Sequence, residues 1–119
     1  MKGKELYRLL QEHFPNEAAL SWDNVGLLCG RMDKDIRKIY VALDATTEVI
    51  DDAVGVGADL LLTHHPVIFS AIKRIEENDY LGERLLRMIE NHMSCYAMHT
   101  NYDVRRMADL VVSKMGLKN

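Results

Sequence analysis

No run in this chain approaches the roughly 20 consecutive apolar residues that a membrane-spanning helix needs, so a membrane span is not expected. Cysteine is scarce. Cys29 and Cys95 lie far apart in apolar runs with no CxxC pairing, which argues against a zinc ribbon or a disulfide framework and for reduced thiols. With 2 prolines and 7 glycines there is no Pro/Gly-rich linker, and no repeat or low-complexity segment divides the chain. An excess of basic charge is missing too: 15 Lys and Arg against 18 Asp and Glu give a net charge of −3, spread along the whole length. No basic face for a phosphate backbone is expected, so nucleic acid is not an expected partner. There is no Walker loop, no GxGxxG and no serine-centred elbow, which removes support for a phosphate-cradling nucleotide triphosphatase or an α/β-hydrolase nucleophile. The opening MKGKELYRLLQEHF carries charges at helical spacing in place of a signal-peptide core. A reducing compartment, the cytoplasm, is the expected location.

What is present fits one domain over residues 1–119: at 48% hydrophobic, the chain can bury a core without covalent staples. Leu6, Leu9, Leu10, His13 and Phe14 recur at helical spacing and stop at Pro15, predicting an amphipathic helix. Val25–Cys29, closed by Gly30, and Ile39–Leu43 read as short strands. Thr46 or Thr47 can cap a helix whose inward positions are Val49, Ile50, Ala53 and Val54 and which ends at Gly55 and Gly57. Leu60–Thr63 is apolar on both alternating faces, as expected for a strand covered on both sides. A helix follows from Leu81 to near Asn91, then a strand from Met93 to Met98. A last helix through Met107, Leu110, Val111 and Met115 is closed by Gly116, with Lys114 in its final turn. The seven methionines read as core filling and not as a copper site.

This alternation predicts an α/β fold, a mostly parallel sheet with helices packed on it, and such sheets place ligands beyond the C-terminal ends of their strands. Asp44 follows one strand, His64 and His65 the next, and His99 with Asp103 the third. On a regular strand the two adjacent imidazoles would point to opposite faces. Pro66 ends the ladder, so both can turn to one crevice and serve neighbouring cations. Imidazole nitrogen and carboxylate oxygen together suit zinc, manganese or iron, and a carboxylate can bridge two such ions. Each residue also has a plain reading. A His-His pair can cap a strand, Asp103 can be an N-cap, Asp44 can cap the helix after it, and His99 can sit beside the site as a core group. Trp22, within Ser21–Gly26, reads first as a packing anchor, and Lys73 and Arg74 as a solvated loop rather than a phosphate clamp.

The segments SWDNVGLLCG, YVALDATTEVI, GADLLLTHHPVIF and YAMHTNYD, in this order and spacing, resemble the Nif-three-like family of dinuclear-metal hexameric proteins, known also as GTP cyclohydrolase I type 2 homologues. The resemblance covers nearly the whole chain. It implies a toroidal homohexamer with a two-metal site in which His64, His65 and Asp103 bind divalent metal (Zn, Mn or Fe) and His99 sits beside them. It further implies metal-dependent hydrolysis of a nucleotide or phosphoester or, as the alternative, a non-catalytic metal-binding or interaction module that assembles into a ring. In a hydrolytic site, His99 or Asp44 is the residue expected to move protons. In the family a further histidine and glutamate near the end of a chain at least twice as long complete the ligand set. Beyond Asp103 this sequence has neither residue, so it resembles the N-terminal half, and one or no bound metal is the expectation for the chain alone.

Overall fold

Four short strands, β1 (Gly26–Cys29), β2 (Ile39–Ala42), β3 (Leu60–Thr63) and β4 (Ser94–Ala97), form one mixed sheet in the order β1-β4-β3-β2 in the computed structural model, which describes residues 1–117. β2, β3 and β4 are parallel in continuous register, Ile39 opposite Leu60 and Leu60 opposite Ser94, while β1 runs antiparallel along the outer edge of β4. The mostly parallel α/β reading therefore stands.

β3 lies inside the sheet, and alternation splits its apolar run between two cores. Leu61 joins Ile50, Ala53, Leu85, Met88 and Cys95 on one face, where α2 (Thr47–Gly55) and α3 (Tyr80–Glu90) pack. Leu60 joins Tyr7, Ile36 and Tyr96 on the other, beneath α1 (Gly3–His13). The stripe of α1 is centred on Tyr7, whose ring stacks on Tyr96 at 5.4 Å, whereas His13 is exposed. Thr46 caps α2 by accepting from the Val49 amide, and Asp79 caps α3 by accepting from Gly82. Asp44 is therefore not the cap of α2.

After β4 the chain turns helical sooner than its apolar spacing indicates. A single turn, α4 (Thr100–Tyr102), leads into a π-helical turn at Asp103–Met107 and then α5 (Ala108–Lys114). Asp103 lies inside this segment, so its N-cap reading fails; His99 holds the cap position. α5 buries none of its residues, and Leu110, Val111 and Met115 are exposed, contrary to the expectation that this stripe packs on the sheet. Of the methionines, Met88 and Met93 are core residues, while Met1, Met32 and Met115 are exposed. Cys29 and Cys95, distant in sequence, are register partners across β1 and β4, both free thiols. Burial pushes the Cys95 thiol up to about 12, which makes it a poor nucleophile. No helix among the described residues is long and apolar enough to cross a membrane.

Candidate metal centre

Because β2, β3 and β4 are parallel and in register, their C-terminal ends fall side by side, and Asp44, His64, His65 and His99 leave the sheet together. The β3 ladder continues through the histidine pair, with the His65 amide donating to Leu43 O at 2.9 Å. The Thr63 hydroxyl then donates to His65 O at 2.8 Å, bending the chain before Pro66. That bend brings both rings to one crevice, with centroids 5.1 Å apart. His99 stands edge-on to each of them, 5.0 Å from His64 and 5.2 Å from His65. One ring nitrogen from each of the three histidines lies within 4.8 Å of the others, a grouping that could hold a metal ion.

The nitrogens are already sorted by their partners. Nδ1 of His64 lies 2.9 Å from the Met98 carbonyl, which can only accept, so His64 carries its proton there and offers Nε2 as a lone pair. Nδ1 of His65 is 2.7 Å from Asp44 Oδ1, and Nδ1 of His99 is 3.1 Å from Asp23 Oδ1. In all three rings the second nitrogen is left for something else, the arrangement that metal-binding imidazoles commonly show. Asp103 enters from the π turn, an irregularity often found at functional positions. Its Oδ1 is buried, has no hydrogen-bond partner among the described residues, and lies 3.4 Å from His64 Nε2.

All five residues singled out from the sequence thus meet at one place, by different routes. His64, His65 and His99 form the nitrogen group, Asp103 adjoins it through His64, and Asp44 reaches it only through His65. Two more residues belong there. The side chain of Asp23 has no exposed surface and accepts from the Asn24 amide, the Thr100 amide and hydroxyl, and His99. Burial alone would raise its pKa, but the bonds from Thr100 and His99 hold it below the usual carboxylate range. Trp22 is not a packing anchor: it is 55% exposed, with its ring against Phe69 and edge-on to His99, each 6.0 Å away. The positive φ of Gly26, where a side chain would collide with Asn16, turns this loop into β1 and sets its approach to the histidines. The signal for Asp23 lay in the Ser21–Gly26 turn formers, but its partner is 76 residues away and no local pattern connects them.

Comparison with known proteins gives consistent matches. The family profile Duf34/NIF3 (NGG1p interacting factor 3) matches residues 1–119. A Staphylococcus epidermidis protein called GTP cyclohydrolase 1 type 2 homolog is 39% identical over 121 residues, covering 100% of this chain and 33% of its own length. The crystal structure of a Bacillus cereus protein related to NIF3 superposes with a TM-score of 0.91 at 36% identity, covering 100% of this chain and 33% of the other. Reduced HcgD from Methanocaldococcus jannaschii gives a TM-score of 0.90 at 33% identity, covering 100% of this chain and 48% of that one. The chain spans about a third of the length of the curated relatives it matches.

Proposed function

The chain belongs to the Duf34/NIF3 family, and from that premise we propose that it is the metal-binding unit of a metal-dependent hydrolase acting on a nucleotide or phosphoester. One observation carries this reading: His64 Nε2, the lone-pair nitrogen, faces the unpartnered Asp103 Oδ1 across 3.4 Å. Two electron-rich atoms held that close while partly withdrawn from water need positive charge beside them. A proton on His64 could supply it for this pair alone. His65 and His99 stand in ring contact with His64, their Nδ1 atoms on Asp44 and Asp23, and a proton on His64 does nothing for their second nitrogens. A divalent cation satisfies all of these groups at once.

His64 and Asp103 would hold one cation, and His65 a neighbouring one, with zinc, manganese or iron suited to this donor set. A bound divalent cation supplies Lewis acidity, making water acidic enough to attack near neutral pH and offsetting charge on a phosphoryl oxygen. The chain's own groups do the rest. Asp44 holds the Nδ1 proton of His65, and His99 is placed to bind a cation or to accept a proton at Nε2. The free thiols suit a reducing cytoplasm.

A second reading, a binding module that assembles into a hexameric ring, is favoured by the outer strand: β2 is an open edge, and Val41 and Leu43 are 71% and 60% exposed. Assays of the protein with nucleotides and phosphoesters separate the two. Turnover that stops with EDTA, returns with zinc or manganese and disappears in His64→Ala supports the hydrolase; metal binding with no turnover supports the module.

A further inference from the structure

Resting on the metal-site reading, we infer that Asp23 is a positioning residue for that site: its Oδ1 holds His99 in the Nδ1–H form, so that Nε2 of His99 is the lone-pair nitrogen offered to the cation site that His64 and His65 line. The carboxylate divides its work between its two oxygens. Oδ2 fastens backbone, accepting from the Thr100 amide at 3.0 Å and the Thr100 hydroxyl at 2.6 Å. Oδ1 accepts from the Asn24 amide at 2.9 Å and from His99 at 3.1 Å. The Asn24 and Thr100 bonds fasten backbone to backbone across the loop. The bond to His99 does something those cannot: it decides which ring nitrogen is free.

The three histidines differ in what fixes them. His64 is fixed by a backbone carbonyl, and His65 by Asp44, whose side chain is 49% exposed. Only His99 is fixed by a carboxylate wholly withdrawn from solvent. No Lys or Arg pairs with Asp23 among the described residues, so no cation competes with the imidazole for its charge. A buried carboxylate beside the distal nitrogen strengthens the donor power of the other one, and losing such a partner typically lowers metal affinity 10- to 100-fold. His99 thereby becomes a nitrogen donor built from two distant segments, Ser21–Gly26 and the turn after β4.

Two measurements on the whole chain test this. Side-chain 15N NMR of the metal-free protein should show His99 with Nδ1 protonated in the wild type and a changed pattern in Asp23→Asn. Zinc affinity, by competition with a chromophoric chelator, should fall roughly 10- to 100-fold in Asp23→Asn. Thr100→Ala, which removes part of the loop fastening and leaves Oδ1 free to hold His99, should lower Tm and keep zinc affinity within about twofold of wild type. The inference is overturned if His99 carries its proton on Nε2 in the wild type, or if Thr100→Ala loses as much affinity as Asp23→Asn. A wild type that binds no zinc would sink the metal reading, while the NMR result would still decide what Asp23 does to His99.

Discussion

Where β2, β3 and β4 begin, Asp59 and Lys34 are tied to backbone partners; where the same strands stop, the histidines and Asp103 keep atoms free. At the first end Asp59 Oδ2 accepts from the Arg37 and Lys38 amides at 2.8 and 3.0 Å, and Lys34 donates to the carbonyls of Asp59 and His92. Those bonds hold the β1–β2 connection against the starts of β3 and β4, and nothing about them asks for a ligand. At the second end, each histidine spends one nitrogen on structure and keeps the other, and Asp103 Oδ1 has no partner among the described residues. An unpaired polar atom withdrawn from water costs on the order of 1–3 kcal/mol. The buried Ser94 hydroxyl that opens β4 also lacks a partner among the described residues, but it carries no charge. A fold that ties down the charged groups of one end and leaves a carboxylate oxygen unpaired at the other is set up to receive a cation there.

The largest effect that would sharpen this contrast is metal addition. Zinc at about a thousand times its Kd should stabilise the fold by about 4 kcal/mol, a Tm rise on the order of 15 °C for a domain of this size. Calorimetry with and without zinc measures it, and the rise should vanish in the His64→Ala, Asp103→Ala double variant; a rise that survives there would place the cation elsewhere. A smaller effect belongs to the opposite end. Lys34→Ala removes two charge-assisted bonds to carbonyls from a half-buried side chain and should cost about 1–2 kcal/mol in urea unfolding. Its zinc affinity should match wild type, and a parallel loss of both would mean that the two ends are not independent.

The fold was legible because its signals are local. Apolar runs of strand length, Thr46 before its helix and the glycines after it all act within a few residues, and alternation along Leu60–Leu62 names both cores of the sheet. The histidines were legible for a related reason: parallel strands share one C-terminal edge, so residues after successive strands must meet. Long-range partners were not. Asp23 joins His99 across 76 residues, and neither neighbourhood contains the other's chemistry. Cys29 meets Cys95 through an antiparallel edge strand that the sequence pattern did not orient. The last helix misled for the opposite reason: Leu110, Val111 and Met115 keep helical spacing, which marks an apolar stripe but not what it packs against, and here that stripe is exposed.

The smallest effect separates the two ends by pH. Burial would raise the pKa of Asp59, but the Arg37 and Lys38 amides, helped by the charge of Lys34, hold it below the usual carboxylate value. A carboxyl group with a depressed folded pKa contributes stability that is complete above its unfolded value of about 3.9 and is lost as pH falls through the folded one. Wild type should therefore exceed Asp59→Asn by no more than about 1 kcal/mol near pH 7, since this group is only partly withdrawn from solvent. The gap should close as pH drops below about 4, because the wild-type side chain is then neutral as well. Urea unfolding at pH 7 and pH 3 reads the gap, and zinc affinity at pH 7 should be the same in both proteins. A gap that stays constant with pH would mean that Asp59 acts through shape and not through its charge, and the beginning of the sheet would then owe its order to Lys34 and the backbone alone.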